Sequence, residues 1–404
     1  MSTSSIRSSS PATDRAAPRF APLLEDLPPS GTMAVGGKVR ELRRQGREII
    51  NLGGGMAEPA PPWLDIPVGF PRALNVGGDP AGEADLRSAL TQKLRAQGLS
   101  YDADEVVVTT GAKQAILPSL LAIVEPGDEV LVLDPCWVSY APAIRLAGAV
   151  PVPVSLRVEE EFRLDARMLA DATTSRTRAI IINTPHNPTG RVFTLEELAG
   201  VAQLAARRNL WVLCDESFEK FVFDGHRHVS LASLGDMKER TVLIQSFSKG
   251  FALPGTRVGY LAAPKRLCQG VIRFNEHVIT SVSPLMQSIA LSALAHEAQW
   301  TERLLSEYGR KRQIAQELLT GIPGIGFKPT EGTFYALIDA GAIEASSRVF
   351  VDRLLDEIGV ACTPGAAFGS AAEGMVRINL VGPAALLEKG LRRMQAYLLR
   401  SRAG

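Results

Sequence analysis

The segment Ser246-Phe247-Ser248-Lys249 sets a lysine beside small hydroxyl residues, and Arg257 follows eight positions on, after Pro254-Gly255-Thr256. That arrangement suits a cofactor carrying both an aldehyde and a phosphate. The lysine amine can form a Schiff base, while Ser246, Ser248 and Arg257 can offer hydrogen bonds and positive charge to a phosphate dianion. A surface lysine in a glycine-rich loop is the simpler alternative. Against it, the segment follows an apolar run, Val242-Leu243-Ile244, and further chemistry-bearing residues stand upstream after similar runs.

After Val106–Val108 comes Thr109-Thr110-Gly111-Ala112-Lys113, opening a helix whose free N–H groups and dipole suit a phosphate. After Val130–Leu133 comes Asp134-Pro135-Cys136-Trp137, where the indole offers a flat face to a cofactor ring or simply fills core. After Ala179–Ile182, the prolines of Asn183-Thr184-Pro185-His186-Asn187-Pro188-Thr189-Gly190 fix a turn that can aim the Asn187 amide at a ring oxygen. An ordinary Asn-Pro turn is the competing account. After Leu210–Cys214 stands Asp215. A carboxylate at a buried strand end is costly unless something positive meets it; a protonated pyridine nitrogen would, and would keep the ring an electron sink. A helix N-cap is the alternative there. Arg377 lies inside the apolar strand Met375–Leu380. Its fork matches a substrate α-carboxylate or a structural ion pair.

The elements that must position these residues are short, almost continuously apolar runs. Val106–Val108, Val130–Leu133, Ala179–Ile182, Leu210–Cys214, Val242–Ile244 and Val258–Ala262 alternate with helical patterns at Gly111–Ile123, Tyr140–Leu146 and Leu195–Arg207. This predicts an α/β fold whose large domain has a mostly parallel sheet flanked by helices, with ligands at the strand ends. Upstream lie a helix over Met33–Arg47, a strand at Ile49–Leu52 ending in Gly53-Gly54-Gly55, a proline-rich connector at Glu58–Pro62 and an amphipathic helix over 84–97. The pattern changes near residue 297. A long charged helix (Gln299–Leu319), a strand (Phe334–Ile338), a helix (Val349–Ile358), the Arg377 strand and a last helix (Ala384–Leu399) make a smaller α+β domain, completed by the N-terminal arm. The expected division is a disordered tail at 1–30, an arm at 31–62 packed on the small domain, a large cofactor-binding domain at 63–296 and the small domain at 297–404.

Bulk properties exclude several classes. The 404 residues carry 44 basic and 43 acidic side chains without a basic stripe, so nucleic acid is not an expected partner. No apolar run approaches the roughly 18 residues that span a bilayer. The four cysteines form no CxxC pair, and His226 and His228 have no ligand cluster around them. Neither a disulfide scaffold nor a metal site is expected, and a reducing cytoplasm fits. Residues 1–20, rich in Ser, Ala, Pro and Arg, lack the apolar core of a secretory signal. They share the bias of an organelle transit peptide, but a disordered tail is the preferred reading.

Taken together, these motifs resemble the class I aminotransferases, the fold-type-I pyridoxal 5′-phosphate enzymes. The resemblance spans about residues 33–400 and rests on Asn187-Pro188-Thr189-Gly190, Asp215, the Ser246–Tyr260 run, Gly332-Thr333-Phe334-Tyr335, Pro364-Gly365 and Arg377. It implies that Lys249 forms the internal aldimine and shuttles protons, that Asp215 pairs with the ring nitrogen and Asn187 with the ring oxygen, and that Trp137 stacks on the ring. It further implies that Gly111, Ala112, Lys113, Ser246, Ser248 and Arg257 surround the phosphate, that Phe218 borders the cofactor, and that Gly55, Asn187 and Arg377 bind substrate. A homodimer with shared active sites follows from the family, with Thr280 or Ser281 reaching the partner's phosphate. The implied reaction moves an amino group between an amino acid and a 2-oxo acid. The alternative is an enzyme on the same scaffold that diverts the carbanion to elimination, replacement or C–C bond formation, with S-adenosylmethionine a conceivable substrate. Intact Lys249, Asp215 and Arg377 argue against a non-catalytic regulator.

Three positions depart from the family. Phe218 stands where relatives have a tyrosine that donates to the ring oxygen; with one donor fewer, the aldimine should hold its proton more tightly. Gly77 replaces a tyrosine that crosses to the other subunit's phosphate, and Cys136 an aromatic residue, where the thiol reads as a space-filler. The two lost tyrosines suggest an unusual or bulky substrate. No second arginine is obviously placed to read a distal carboxylate, with Arg40 and Arg273 the remaining candidates.

Overall fold

The computed structural model describes residues 27–54 and 77–400. The expectations for the N-terminal tail as far as residue 26, for Gly55 and for the Glu58–Pro62 connector fall outside the described residues. In chain order the chain forms α1 (Gly31–Arg44), β1 (Ile50–Asn51), α2 (Ala84–Ala96), β2 (Val106–Thr109), α3 (Ala112–Ile123), β3 (Glu129–Asp134), α4 (Tyr140–Leu146), β4 (Val150–Ser155), α5 (Ala166–Ala172), β5 (Thr177–Asn183), α6 (Leu195–Arg208) and β6 (Trp211–Asp215). Then come β7 (Thr241–Ser246), the short α7 (Phe247–Gly250), β8 (Gly259–Ala262), α8 (Lys265–Val278), α9 (Pro284–Ala295) and α10 (Glu297–Leu319). The chain ends with β9 (Gly326–Phe327), β10 (Tyr335–Asp339), α11 (Ser347–Ile358), β11 (Val360–Ala361), β12 (Thr363–Pro364), β13 (Met375–Asn379) and α12 (Ala384–Arg400).

The apolar runs assemble into a seven-stranded sheet ordered β2-β8-β7-β6-β5-β3-β4. β8 runs antiparallel to both of its neighbours, and the other pairings are parallel. Central strands such as β6 and β7 are buried almost throughout because helices cover both faces, so alternation is absent from their sequences. α3, α4 and α8 close one side, α5 and α6 the other. β3, β5, β6 and β7 are parallel, and β2 runs the same way because antiparallel β8 lies between it and β7, so the C-terminal ends of all five reach one edge. A second sheet, β12-β13-β10-β9, is antiparallel, and β1 pairs in parallel with β11. α1 packs Val39 against Leu355 and Ala361, which ties this N-terminal stretch to the C-terminal part.

Several elements were absent from the sequence expectations, among them β4, α5, α8, α9 and the two-residue strands β9, β11 and β12. β4 carries Pro151 and Pro153, which cannot donate to a ladder. It survives as an edge strand because only β3 pairs with it. α5 is a single short helix. α9 is apolar on most faces and so lacks a helical stripe, whereas α8 has a legible one in Leu267, Cys268 and Val271. Among the described residues no helix is long and apolar enough to cross a membrane.

Candidate active site

At the strand-end edge lies a cavity of about 170 Å³, lined by residues that include Ala112, Lys113, Trp137, Asn187, Asp215, Phe218, Ser246, Ser248, Lys249 and Arg257. The sequence-expected residues from five separate strand ends are thus brought to one wall-to-wall site. Arg377 stands just behind it, in the middle of β13, and Gly55 is outside the described residues.

Asp215 ends β6 and is 5% exposed. Tyr140 Oη donates to its Oδ2 at 2.9 Å and the Ser217 amide to its Oδ1 at 3.0 Å. Burial raises its pKa, and these donors, with the charge of Lys249, offset only part of that rise. The carboxylate has hydrogen-bond donors but no ion-pair partner among the described residues, which leaves it able to meet a cationic group. The N-cap account fails here, because Asp215 is followed by turns rather than a helix.

The opposite end of the cavity gathers positive charge. Gly111 caps α3 at φ +83°, and a Cβ there would stand 2.7 Å from Arg257 Nη2, so only glycine lets the guanidinium approach the helix start. Arg257 Nη1 donates to Ser248 Oγ at 3.3 Å. Ser246 caps α7, its Oγ accepting from the Ser248 amide at 3.1 Å, which leaves the hydroxyl proton free to donate. Burial, then Arg257 and Lys249, lower the pKa of Lys113. Lys113 and Arg257, crowded together with Lys249 nearby and with no ion-pair partner of their own among the described residues, fit a phosphate dianion. The Lys113 ammonium also lies 5.0 Å over the Trp137 ring, and Trp137 meets Tyr140 edge-on.

Asn187 is held by its neighbours. Its amide N–H donates to Asn183 Oδ1, and its own Oδ1 accepts from Arg377 Nη1 at 2.8 Å. That contact turns Nδ2 toward the cavity as a free donor. Arg377 is 3% exposed, its Nε has no partner, and no carboxylate pairs with it among the described residues. Among the described residues, therefore, no ion pair accounts for the buried guanidinium. Its plane is instead sandwiched, 3.8 Å from the Tyr335 ring centre and 4.4 Å from that of Phe368. Asp134 secures the Phe368 segment by accepting from Ser370 Oγ at 2.7 Å and from the Ala371 amide at 3.2 Å. A Cβ at Gly369 (φ +139°) would collide with that carboxylate.

Phe218 is buried in an aromatic cluster, its ring centre 5.2 Å from that of Phe334 and 5.7 Å from that of Tyr335. Gly77 is exposed, with nothing within 4 Å of a Cβ built on it. Thr280 has φ +62°, and Ser281 Oγ accepts from the Gly78 amide at 3.1 Å. Cys136 does not line the cavity, and burial, helped by Asp134, pushes its thiol up to about 12, consistent with a space-filling role. Arg40 and Arg273 are exposed and away from the cavity. Tyr140, Asn183, Ser217 and Tyr335 are site residues that sequence reasoning passed over. Only Tyr335 carried a signal, as part of the Gly332–Tyr335 motif.

The family described as aminotransferase class I and II matches residues 67–394. The aspartate aminotransferase of Pyrococcus abyssi is 39% identical over 337 residues, which cover 81% of this chain and 86% of that protein. The aspartate/prephenate aminotransferase of Thermus thermophilus is 36% identical over 94% of this chain and 98% of its own. The aromatic-amino-acid aminotransferase 2 of Thermococcus litoralis is 39% identical over 78% of this chain and 82% of its own. The solved structure of the Thermus thermophilus aspartate aminotransferase with maleate superposes with a TM-score of 0.88 at 34% identity, covering 95% of this chain and all of that one.

Proposed function

The chain belongs to the class I and II aminotransferases, and from that premise we propose how its residues carry out pyridoxal 5′-phosphate-dependent amino-group transfer. When bound, the cofactor supplies an aldehyde carbon for an amine and an electron-poor ring that takes up the electron pair freed at the substrate Cα. Lys249 Nζ is the amine that holds the aldehyde and, once displaced by the incoming amino group, the base that moves the Cα proton. Asp215 keeps a proton on the ring nitrogen, Asn187 Nδ2 donates to the ring oxygen, and Trp137 covers one ring face. Gly111, Ala112, Lys113, Ser246, Ser248 and Arg257 bind the phosphate. Arg377, whose guanidinium meets no carboxylate among the described residues, binds the substrate α-carboxylate.

One observation carries this reading. Lys113 and Arg257 crowd one end of a cavity with no ion-pair partner among the described residues, and at its floor the buried Asp215 carboxylate has only the more distant Lys249 charge to meet it. The substrates are an amino acid and a 2-oxo acid. Relatives named for aspartate, prephenate and aromatic amino acids span several side-chain types. Among the described residues, Arg40 and Arg273 lie away from the cavity, so neither is placed to read a dicarboxylic side chain. Because these relatives are named for transamination, the diverted-carbanion alternative is not favoured.

We further propose a cytoplasmic homodimer with shared active sites, built from a cofactor-binding unit at 63–296 and a smaller unit at 297–404. Support comes from the family resemblance and from Thr280 and Ser281, which sit beside the exposed Gly77–Gly78 segment. Light scattering that returns a monomer would remove the shared-site part. For the chemistry, borohydride reduction of the cofactor-loaded protein followed by peptide mapping should place the adduct on Lys249. An amino acid should bleach the visible band, and a 2-oxo acid should restore it. An adduct on another side chain, or none, rejects the assignment.

A further inference from the structure

Phe218 leaves the corner around the ring oxygen without the phenol that the resemblance leads one to expect there, yet a phenol stands at that corner from another element. Tyr335 lines the cavity from the start of β10, and its ring centre is 5.7 Å from that of Phe218. Its face carries the Arg377 guanidinium, the same group that donates to Asn187 Oδ1. Lys249 Nζ lies 5.7 Å from the Phe218 ring centre and 5.4 Å from that of Phe334, the residue before Tyr335. Tyr335, Phe218, Asn187 and Lys249 therefore border one corner. The Tyr335 amide is engaged with Thr333 Oγ1, but its hydroxyl has no hydrogen-bond partner among the described residues.

We infer that the Tyr335 hydroxyl takes over the task of the phenol missing at position 218 and donates a hydrogen bond to the cofactor's ring oxygen from β10. The inference rests on the proposed placement of the cofactor between Lys249, Asp215 and Asn187. Electrostatics support it independently. Burial raises the phenol's hold on its proton, but Lys249 and Arg377 outweigh burial, so the hydroxyl is acidified and made a stronger donor. The other charged groups on the same cavity are Lys113 and Arg257 at the phosphate end and Asp215 beneath, with Tyr140 bonded to Asp215. The two aromatic positions thus divide one role. Phe218 supplies the packing, edge-on to Phe334, and Tyr335 supplies the donor.

The test is a spectrophotometric pH titration of the cofactor-loaded enzyme, following its visible band. Tyr335→Phe keeps the ring against Arg377 and removes an oxygen without a protein partner, so the fold is preserved. Losing a hydrogen bond to a charged oxygen should move the midpoint of the band up by about one pH unit. Phe218→Tyr combined with Tyr335→Phe should return it toward the wild-type position. An unmoved midpoint in Tyr335→Phe overturns the inference, and so does an unmoved midpoint with a raised amino-acid KM, which would give the hydroxyl to the substrate. A wild-type band that survives Lys249→Ala would instead overturn the underlying cofactor placement, so the two failures are told apart.

Discussion

Arg377 Nη1 and Asn187 Oδ1 meet at 2.8 Å across 190 residues of chain, so the group proposed for the substrate carboxylate also orients the amide proposed for the ring oxygen. A lysine at 377 would keep the charge and lose the planar fork. Arg377→Lys should lower kcat/KM for the amino donor roughly 10- to 100-fold, the equivalent of one charge-assisted hydrogen bond. The visible cofactor band should persist, since the phosphate cradle and Lys249 are untouched. Steady-state kinetics over several donors checks this, and an unchanged kcat/KM would remove Arg377 from carboxylate binding.

Tyr140 and Asp215 form the second pairing with a consequence. The tyrosine hydroxyl donates to the carboxylate at 2.9 Å, which favours the charged form against a burial that disfavours it. Without that donor the pKa of Asp215 rises further. If activity needs the carboxylate charged, the acid side of the pH profile must then move to higher pH. Tyr140→Phe should shift the acid limb of kcat up by about one unit, from a hydrogen bond worth about 1.5 kcal/mol. A profile that superposes on wild type counts against this support.

Much of the site was legible because it lies where the local signal is strongest. Gly111, Trp137, Asn187, Asp215 and Ser246 each stand at the end of an apolar run, and those five strands all run in one direction, which carries their ends to one edge. Arg377 was legible for a different reason: a guanidinium in an apolar strand demands an anion. Tyr140 was not, because its partner lies 75 residues away in sequence, and Tyr335 showed only as a motif position, since its contact with Arg377 spans 42 residues. The same holds for the Asp134 contact with Ser370, a tertiary bond with no local trace. β4 was hidden by its prolines, which argue against a strand except at an edge, and the edge itself is a property of the assembled sheet.

His228 Nε2 lies 2.9 Å from the buried Glu216 carboxylate, one residue beyond Asp215. Burial disfavours the imidazolium, but Glu216 and then Glu219 outweigh burial and the opposing Lys93, so the folded pKa stands above its ordinary value of 6.5. A raised folded pKa contributes stability that is fully present below the unfolded pKa and is lost as pH rises through the folded one. His228→Asn should therefore cost more stability at about pH 5 than at about pH 9. Denaturation midpoints at the two pH values decide it. An equal loss at both, or a larger one at high pH, contradicts the pairing.

Lys93 is a buried ammonium held by several partners. It is buried on α2, 3.2 Å from Glu219 and 4.0 Å from Glu297, and it donates to Gln245 Oε1 at 2.6 Å, one residue before Ser246. Burial works against its charge, but Tyr260, Glu219 and Glu297 outweigh it and raise its pKa, while Lys93 in turn keeps the pKa of Glu219 low despite burial. Removing the ammonium leaves the Glu219 carboxylate buried with its nearest cation gone. Lys93→Met should destabilise the protein by about 3–5 kcal/mol, the usual loss when one partner of a buried pair is deleted. Adding Glu219→Gln should recover a substantial part, because the second change removes the uncompensated charge. Chemical denaturation of the two variants tests both steps. A double variant no more stable than Lys93→Met would show that the loss comes from disrupted packing around Gln245 and Tyr260 rather than from the stranded carboxylate.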